Sequence, residues 1–295
     1  MKKNPKSLDN NKISFIINSN NKVLILFGLI TIVCIFSDFY FEVNNLTISF
    51  LITTALTSII TFLSIPALKK IKIKQIIREE GPKKHFIKKG TPTMGGIFFI
   101  PIGIVISNIL YFNKQEHEII LALSFLIIFF MFIGFIDDLL SLKKKFNTGL
   151  TSNQKLILQL LISIIFIIFC AFNNLLPNTI QIANKSINIG HLIYPLGVFV
   201  LLAESNSTNL TDGLDGLLSG CSVIIYTGMA VTILLEDGSN YITLAPHCLA
   251  MAGACMGFLF LNKYPAKLFM GDSGSLAIGA SLGGIALISN NLLSL

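Results

Sequence analysis

Nine stretches of this sequence, 23–41, 46–68, 94–112, 119–136, 156–172, 192–208, 213–235, 242–261 and 273–290, read as predominantly apolar runs of 17 to 23 residues. A helix of roughly 17 to 25 apolar residues crosses a bilayer core about 30 Å thick. No water reaches the backbone there, so each run has to satisfy its own amides as an α-helix. The expected fold is therefore all-α: a polytopic integral membrane helix bundle with about nine transmembrane helices in this chain. Charged residues make up only 13% of the chain, against about 25% in a soluble domain.

Placing the N-terminus in the cytoplasm puts segments 1–22, 69–93, 137–155, 209–212 and 262–272 on the inner side. These hold 20 of the 22 Lys and Arg, leaving Lys114 and Lys185 outside. Excess positive charge marks cytoplasmic loops, so the orientation is strongly specified. The net charge of +7 is then a topology signal first and an attraction for anionic headgroups second. It does not point to nucleic acid, because the basic residues are not interleaved with exposed aromatics. The five cysteines, Cys34, Cys170, Cys221, Cys248 and Cys255, show no metal or redox spacing and read as small core residues. The polar lead before residue 23 is too long, and its apolar run too extended, for a cleaved signal. We expect residues 1–22 to form a cytoplasmic tail and 23–295 a single transmembrane domain.

Polar motifs interrupt this pattern at the inner edge. Asn209-Leu-Thr-Asp-Gly-Leu-Asp-Gly216 carries two acids three residues apart, and a helix beginning near Gly213 would place both on one face of its first turn. Capping alone explains one Asp but not this set. Asp137 and Asp138 stand side by side at the end of an apolar run. Adjacent carboxylates repel, and a divalent cation or a lysine is the usual remedy. A plain interfacial charge cluster with Lys143, Lys144 and Lys145 is the simpler alternative. The basic loop 69–93 reads first as a stop-transfer signal. It closes on Thr91-Pro-Thr-Met-Gly-Gly96, whose glycines would open the next helix with amides suited to an anion. Asp272 sits where a helix begins; its Gly-Asp-Ser-Gly-Ser context imitates a serine-protease segment, but no β context or catalytic His accompanies it.

All three acid-bearing segments fall on one side of a topology derived without them. Clustered carboxylates with lysines beside a lipid phase suit magnesium and a phosphorylated substrate, since Mg²⁺ takes one or two carboxylates plus phosphate oxygens. Phosphoryl transfer then needs mainly charge neutralisation and alignment. An enzyme joining a soluble diphosphate to a lipid phosphate would need this placement.

Thr91-Pro-Thr-Met-Gly-Gly96, Phe135-Ile-Asp-Asp138, Asn209 to Gly216, and Phe269-Met-Gly-Asp272, in this order, resemble the motifs of the phospho-N-acetylmuramoyl-pentapeptide transferases. The resemblance implies Mg²⁺-dependent transfer of phospho-MurNAc-pentapeptide from UDP-MurNAc-pentapeptide to undecaprenyl phosphate, giving lipid I and UMP for peptidoglycan synthesis. By motif match, Asp137 is the candidate base on the lipid phosphate, Asp138 lies beside it, and Asp272 holds Mg²⁺; a covalent Asp nucleophile stays open. The same resemblance assigns the uridine part to Asn209, Asp212, Asp215, Asn262 and Phe269, with Lys88 and Thr93 lining the cleft. Lys145 and Lys155 are weaker candidates for phosphate contact. A flat Phe269 ring can also stack on uracil.

It further implies a multi-pass protein of the bacterial inner (plasma) membrane with its site facing the cytoplasm. Oligomeric state is left open, a homodimer among the options. Two departures stand out. The chain stops at Leu295, before the further helices and His-rich loop expected of the family, and the anchor at 23–41 is additional. A polyprenyl-phosphate transferase using UDP-N-acetylglucosamine is the nearest alternative. An ion-coupled transporter would place ionisable groups near mid-span, where this chain has no Asp, Glu, Lys or Arg. An inactive membrane scaffold is the third.

Overall fold

A computed structural model describes residues 6–43, 45–70, 91–111, 117–144, 149–182, 185–235 and 242–292. Its helices are α1 (Lys6–Phe41), α2 (Leu46–Lys70), α3 (Gly96–Tyr111), α4 (His117–Lys144), α5 (Ser152–Phe172), α6 (Ile193–Thr211), α7 (Leu217–Leu235), α8 (Leu244–Asn262) and α9 (Asp272–Ile288). Six of them, α1, α2, α4, α5, α7 and α8, are long and apolar enough to cross a bilayer. Helices α3 and α9 are apolar but shorter, and α6 carries Glu204, Asn206 and Asn209 in its second half. The fold is an all-α, multi-pass membrane bundle.

Two helices form its axis. Nearly every residue of α8 and, from Ser273 onward, of α9 is buried. Helices α2 and α7 flank α8, α4 and α6 flank α9, and α3 touches both. Lipid offers no hydrophobic drive for this association, so close approach of small residues supplies the packing. A Cβ on Gly253 or Gly257 would strike the Phe50 or Thr54 carbonyl of α2, and one on Gly279 would strike Glu204 and Thr208 of α6. Gly253, Gly257 and Gly279 thus act as packing contacts between helices. Four of the five cysteines are buried and all are free. Ile165, Phe199 and Phe172 are exposed by 66%, 66% and 83%, as side chains facing lipid would be.

Helix α1 reaches back to Lys6, so the polar lead is helical where it is described. At its far end Asp38 accepts the amides of Leu46 and Thr47, both at 2.9 Å, capping α2 from outside. Near the same end of the bundle as this turn, the loop after α5 folds into a two-stranded hairpin, β1 (Thr179–Ile182) with β2 (Lys185–Asn188). The opposite end of the bundle collects the acid-bearing segments.

Candidate active site

Helix α4 runs through Asp137 and Asp138 to Lys144, so both acids stand on a continuous helix rather than in a loop. A trans-bundle cap fixes the second acid: Asp138 Oδ1 accepts the amide of Asp272 and Oδ2 that of Ser273, each at 3.1 Å. The first amides of a helix lack intrahelical acceptors and carry partial positive charge, so a carboxylate there satisfies and stabilises α9. Gly271 makes this possible. Its φ of +73° with ψ of 176° is nearly exclusive to glycine, and a Cβ would approach Asp138 Oδ2 and the Thr93 hydroxyl. Gly134 one turn earlier lies against the Asp272 carbonyl, where a side chain would collide.

Asp137 faces the other way along the same edge. Its Oδ1 accepts the Leu150 amide at 2.7 Å, and its Oδ2 lies 3.7 Å from the Lys155 ammonium. Lys155 occupies the first turns of α5, a helix opened by a Thr151–Gln154 capping box. The same ammonium donates to Asp272 Oδ2. Asp272 Oδ1 accepts from Asn209 Nδ2 at 2.9 Å, and Asn209 also reaches Ser275 Oγ at 2.9 Å. Four helices therefore meet at one cluster: α4, α5, α6 and α9. Among the described residues one ammonium bridges two of its three carboxylates, which leaves the cluster electronegative when all three are ionised.

The loop Asp212–Gly216 forms a second, adjoining group. It does not open α7 as expected. Helix α6 ends at Thr211, Asp212 is its C-cap, and α7 begins only at Leu217. Gly216 takes φ +77°, a left-handed conformation that interrupts helical continuation, so Asp212 and Asp215 lie on a turn and not on one helix face. Asp215 Oδ2 accepts the Ala266 amide at 3.1 Å. Asn262, only 2% exposed, accepts from Gly216 N at 3.0 Å and Ser219 Oγ at 2.9 Å and donates to the Leu268 carbonyl at 3.1 Å. Its amide ties the turn to the loop before α9.

Segment 91–96 closes the site. Pro92 accepts from Phe269 N, and Gly95 and Gly96 donate to the Phe269 and Met270 carbonyls, all at 2.9 Å. The Gly95 and Gly96 amides expected to be free for an anion are thus engaged and buried. These glycines serve close packing instead, since a Cβ on Gly96 would collide with the Gly274 backbone. Phe269 is 8% exposed. Lys88 and Lys145 lie outside the described residues. Lys155, ranked low by sequence, bridges two acids of the cluster; its signal was one lysine in the first turns of a helix that follows paired acids.

Glycosyl transferase family 4 matches residues 120–290, more than half the chain. A narrower motif, phospho-N-acetylmuramoyl-pentapeptide-transferase signature 1, matches residues 88–100. A phospho-N-acetylmuramoyl-pentapeptide-transferase of Prochlorococcus marinus strain NATL2A is 76% identical across the whole chain, which spans 80% of that relative. Strain MIT 9313 of the same species has one 44% identical over 90% of this chain and 72% of its own length. A third, of Synechococcus sp. strain CC9311, is 44% identical over 87% of this chain and 70% of its own. The protein is thus a membrane-embedded member of glycosyl transferase family 4. Within that class, the chain belongs to the phospho-N-acetylmuramoyl-pentapeptide-transferase family.

Proposed function

We propose that the protein transfers phospho-MurNAc-pentapeptide from UDP-MurNAc-pentapeptide to undecaprenyl phosphate, releasing UMP and forming lipid I, at the cytoplasmic face of the inner membrane. The convergence of Asp137, Asp272 and Lys155 beside residues 91–96, within the 88–100 signature, carries this reading. In it an oxygen of the lipid phosphate attacks the sugar-bearing phosphorus, and the bond to the UMP oxygen breaks. Asp137 takes the proton of the lipid phosphate where one is present. Lys155 offsets phosphate charge as a point cation. Asp138 acts through α9, holding the helix start that presents Asp272.

The donor chemistry fits a hard divalent cation. Asp272 and Asp137 already converge on one cationic atom, the Lys155 ammonium, through carboxylate oxygens. Among the described residues no trio of acids, His or Cys closes a complete cage, and Mg²⁺ asks for only one or two carboxylates with substrate phosphates completing its shell. Asp272 would hold it with Asp137 adjacent, and when bound it would neutralise charge developing on the transferred phosphate. Asn209, Asp212, Asp215 and Phe269, with Lys88 and Thr93, are assigned to the uridine part in this proposal; Asn262 contributes by fixing the turn that carries Asp215. Residues 23–295 act as one transferase unit.

The test is UMP release from membranes holding the full chain, supplied with undecaprenyl phosphate and either UDP-MurNAc-pentapeptide or UDP-N-acetylglucosamine. Lipid product with the first donor is expected. Product with the second alone would reassign the donor, and no release with either at millimolar Mg²⁺ would overturn the transfer reaction.

A further inference from the structure

Helix α1 meets the bundle chiefly through α2, where the Phe27 and Phe50 rings stack at 5.9 Å and Asp38 caps the partner helix. Its other end stands off from α7 and α8, at the same end of the bundle as the acid cluster. The gap is a cavity of about 320 Å³. Its floor is apolar, formed by Val23, Leu26, Gly220 and Leu259, while Asn18, Lys22, Lys263 and Tyr264 supply its polar lining and Asp215 and Gly216 one wall. The acid on that wall turns Oδ2 toward the Ala266 amide. Beyond Lys22, α1 presents Leu24, Ile25 and Leu29 to the surroundings, each more than half exposed, an outer face suited to lipid, and the cavity sits where its polar lead gives way to apolar sequence.

A gap with an apolar floor, and with two lysines against one acid in its polar lining, matches a molecule with an anionic head and an acyl tail. Basic pockets between helices at the cytoplasmic edge bind anionic headgroups by this division. Lys263 is suited to the role: its ammonium lies 5.6 Å from the Phe260 ring centroid. Burial, and after it the nearby Lys267, lowers its pKa below the ordinary lysine value, a repulsion an anion would relieve.

We propose that this cavity binds an anionic phospholipid, its phosphate at Lys22 and Lys263 and an acyl chain over Val23, Leu26 and Leu259. Occupancy braces Gly216 and Asp215 from the membrane side, linking bilayer composition to the turn between α6 and α7. The binding step stands independently of the transfer reaction.

The test uses the full chain in nanodiscs of phosphatidylcholine with phosphatidylglycerol, counting phosphatidylglycerol retained by native mass spectrometry. Lys22→Gln with Lys263→Gln should weaken retention about 25-fold, since each lysine near the surface contributes roughly fivefold. Gly220→Leu keeps both lysines but fills the floor. A Cβ there meets nothing nearer than Leu259 Cδ2 at 4.0 Å, and leucine favours the helix more than glycine, so this variant folds and should lose at least about tenfold. Equal retention by wild type and both variants overturns the site. Loss in the lysine variant alone reduces it to surface attraction and overturns the cavity. Phosphatidylcholine retained as well as phosphatidylglycerol, or displacement by millimolar inorganic phosphate as complete as by added lipid, overturns the anionic-lipid assignment, the latter in favour of free phosphate.

Discussion

Asp138 holds Asp272 by its backbone: the α4 carboxylate accepts the amide of Asp272 at 3.1 Å, and its second oxygen accepts that of Ser273 at the same distance. In the proposed reaction this engagement makes Asp138 a positioning group for Asp272. Asp138→Ala leaves two helix-start amides without their acceptors, at about 1 to 3 kcal/mol each where they stay dry. Thermal unfolding in detergent should fall in the order Asp, Asn, Ala at this position, and UMP release should fall in the same order, by at least about tenfold for alanine. Lost turnover with unchanged unfolding would show that Asp138 touches the reacting groups itself.

In the proposed site Lys155 would compete with a divalent cation for Asp137 and Asp272. Replacing it by methionine keeps the aliphatic length and removes the ammonium, leaving two carboxylates facing each other. Mn²⁺ binding, read from its electron paramagnetic resonance signal, should tighten about tenfold, or ~1.4 kcal/mol. Turnover should fall nonetheless, because the phosphate loses a counter-charge. Weaker Mn²⁺ binding in Lys155→Met would mean that the acids do not form the cation site.

Asp272 is the acid on which the cluster closes, accepting from Lys155 and Asn209. Asp272→Ala should cut UMP release by roughly 10²–10³, the usual loss when one charge-stabilising group is removed. Asp9→Ala, in the polar lead of α1, should leave it unchanged. Similar rates for the two variants would remove Asp272 from the reaction.

The membrane class was legible because lipid forces every spanning segment to be long, apolar and helical, a pattern composition cannot hide. The close helix contacts at Gly253, Gly257 and Gly279 follow from a related constraint, since only small residues let these backbones approach. The partners of the acids were not legible. Nothing local couples Asp138 to the amide 134 residues later, nor marks Gly95 and Gly96 as donors to the 269–270 strand-like segment rather than to a ligand. The turn at Asp212–Gly216 was misread because helical periodicity tolerates glycine in a pattern, whereas a φ of +77° at Gly216 breaks the helix and sets Asp215 apart. Lys155 was underrated because one lysine near a membrane edge is ordinary until two carboxylates are seen around it.

Asn262 separates positioning from binding. Its buried amide joins Gly216, Ser219 and Leu268 across two loops, so Asn262→Ala strands a backbone amide and a carbonyl, at about 1 to 3 kcal/mol each if water does not replace them. The turn bearing Asp215 would loosen, and the Michaelis constant for the UDP donor should rise more than kcat falls. Ser219→Ala removes one donor to the same Asn262 oxygen and no backbone link, so it should reproduce the effect at a fraction of its size. A direct contact between Asn262 and the nucleotide makes the opposite forecast: Ser219→Ala would be silent, and Asn262→Asp, which keeps the Gly216 acceptor while losing the donor to Leu268, would be as damaging as alanine in donor binding measured by calorimetry. Graded losses through Ser219 therefore assign Asn262 to the architecture of the turn, and an all-or-none response confined to Asn262 assigns it to the ligand.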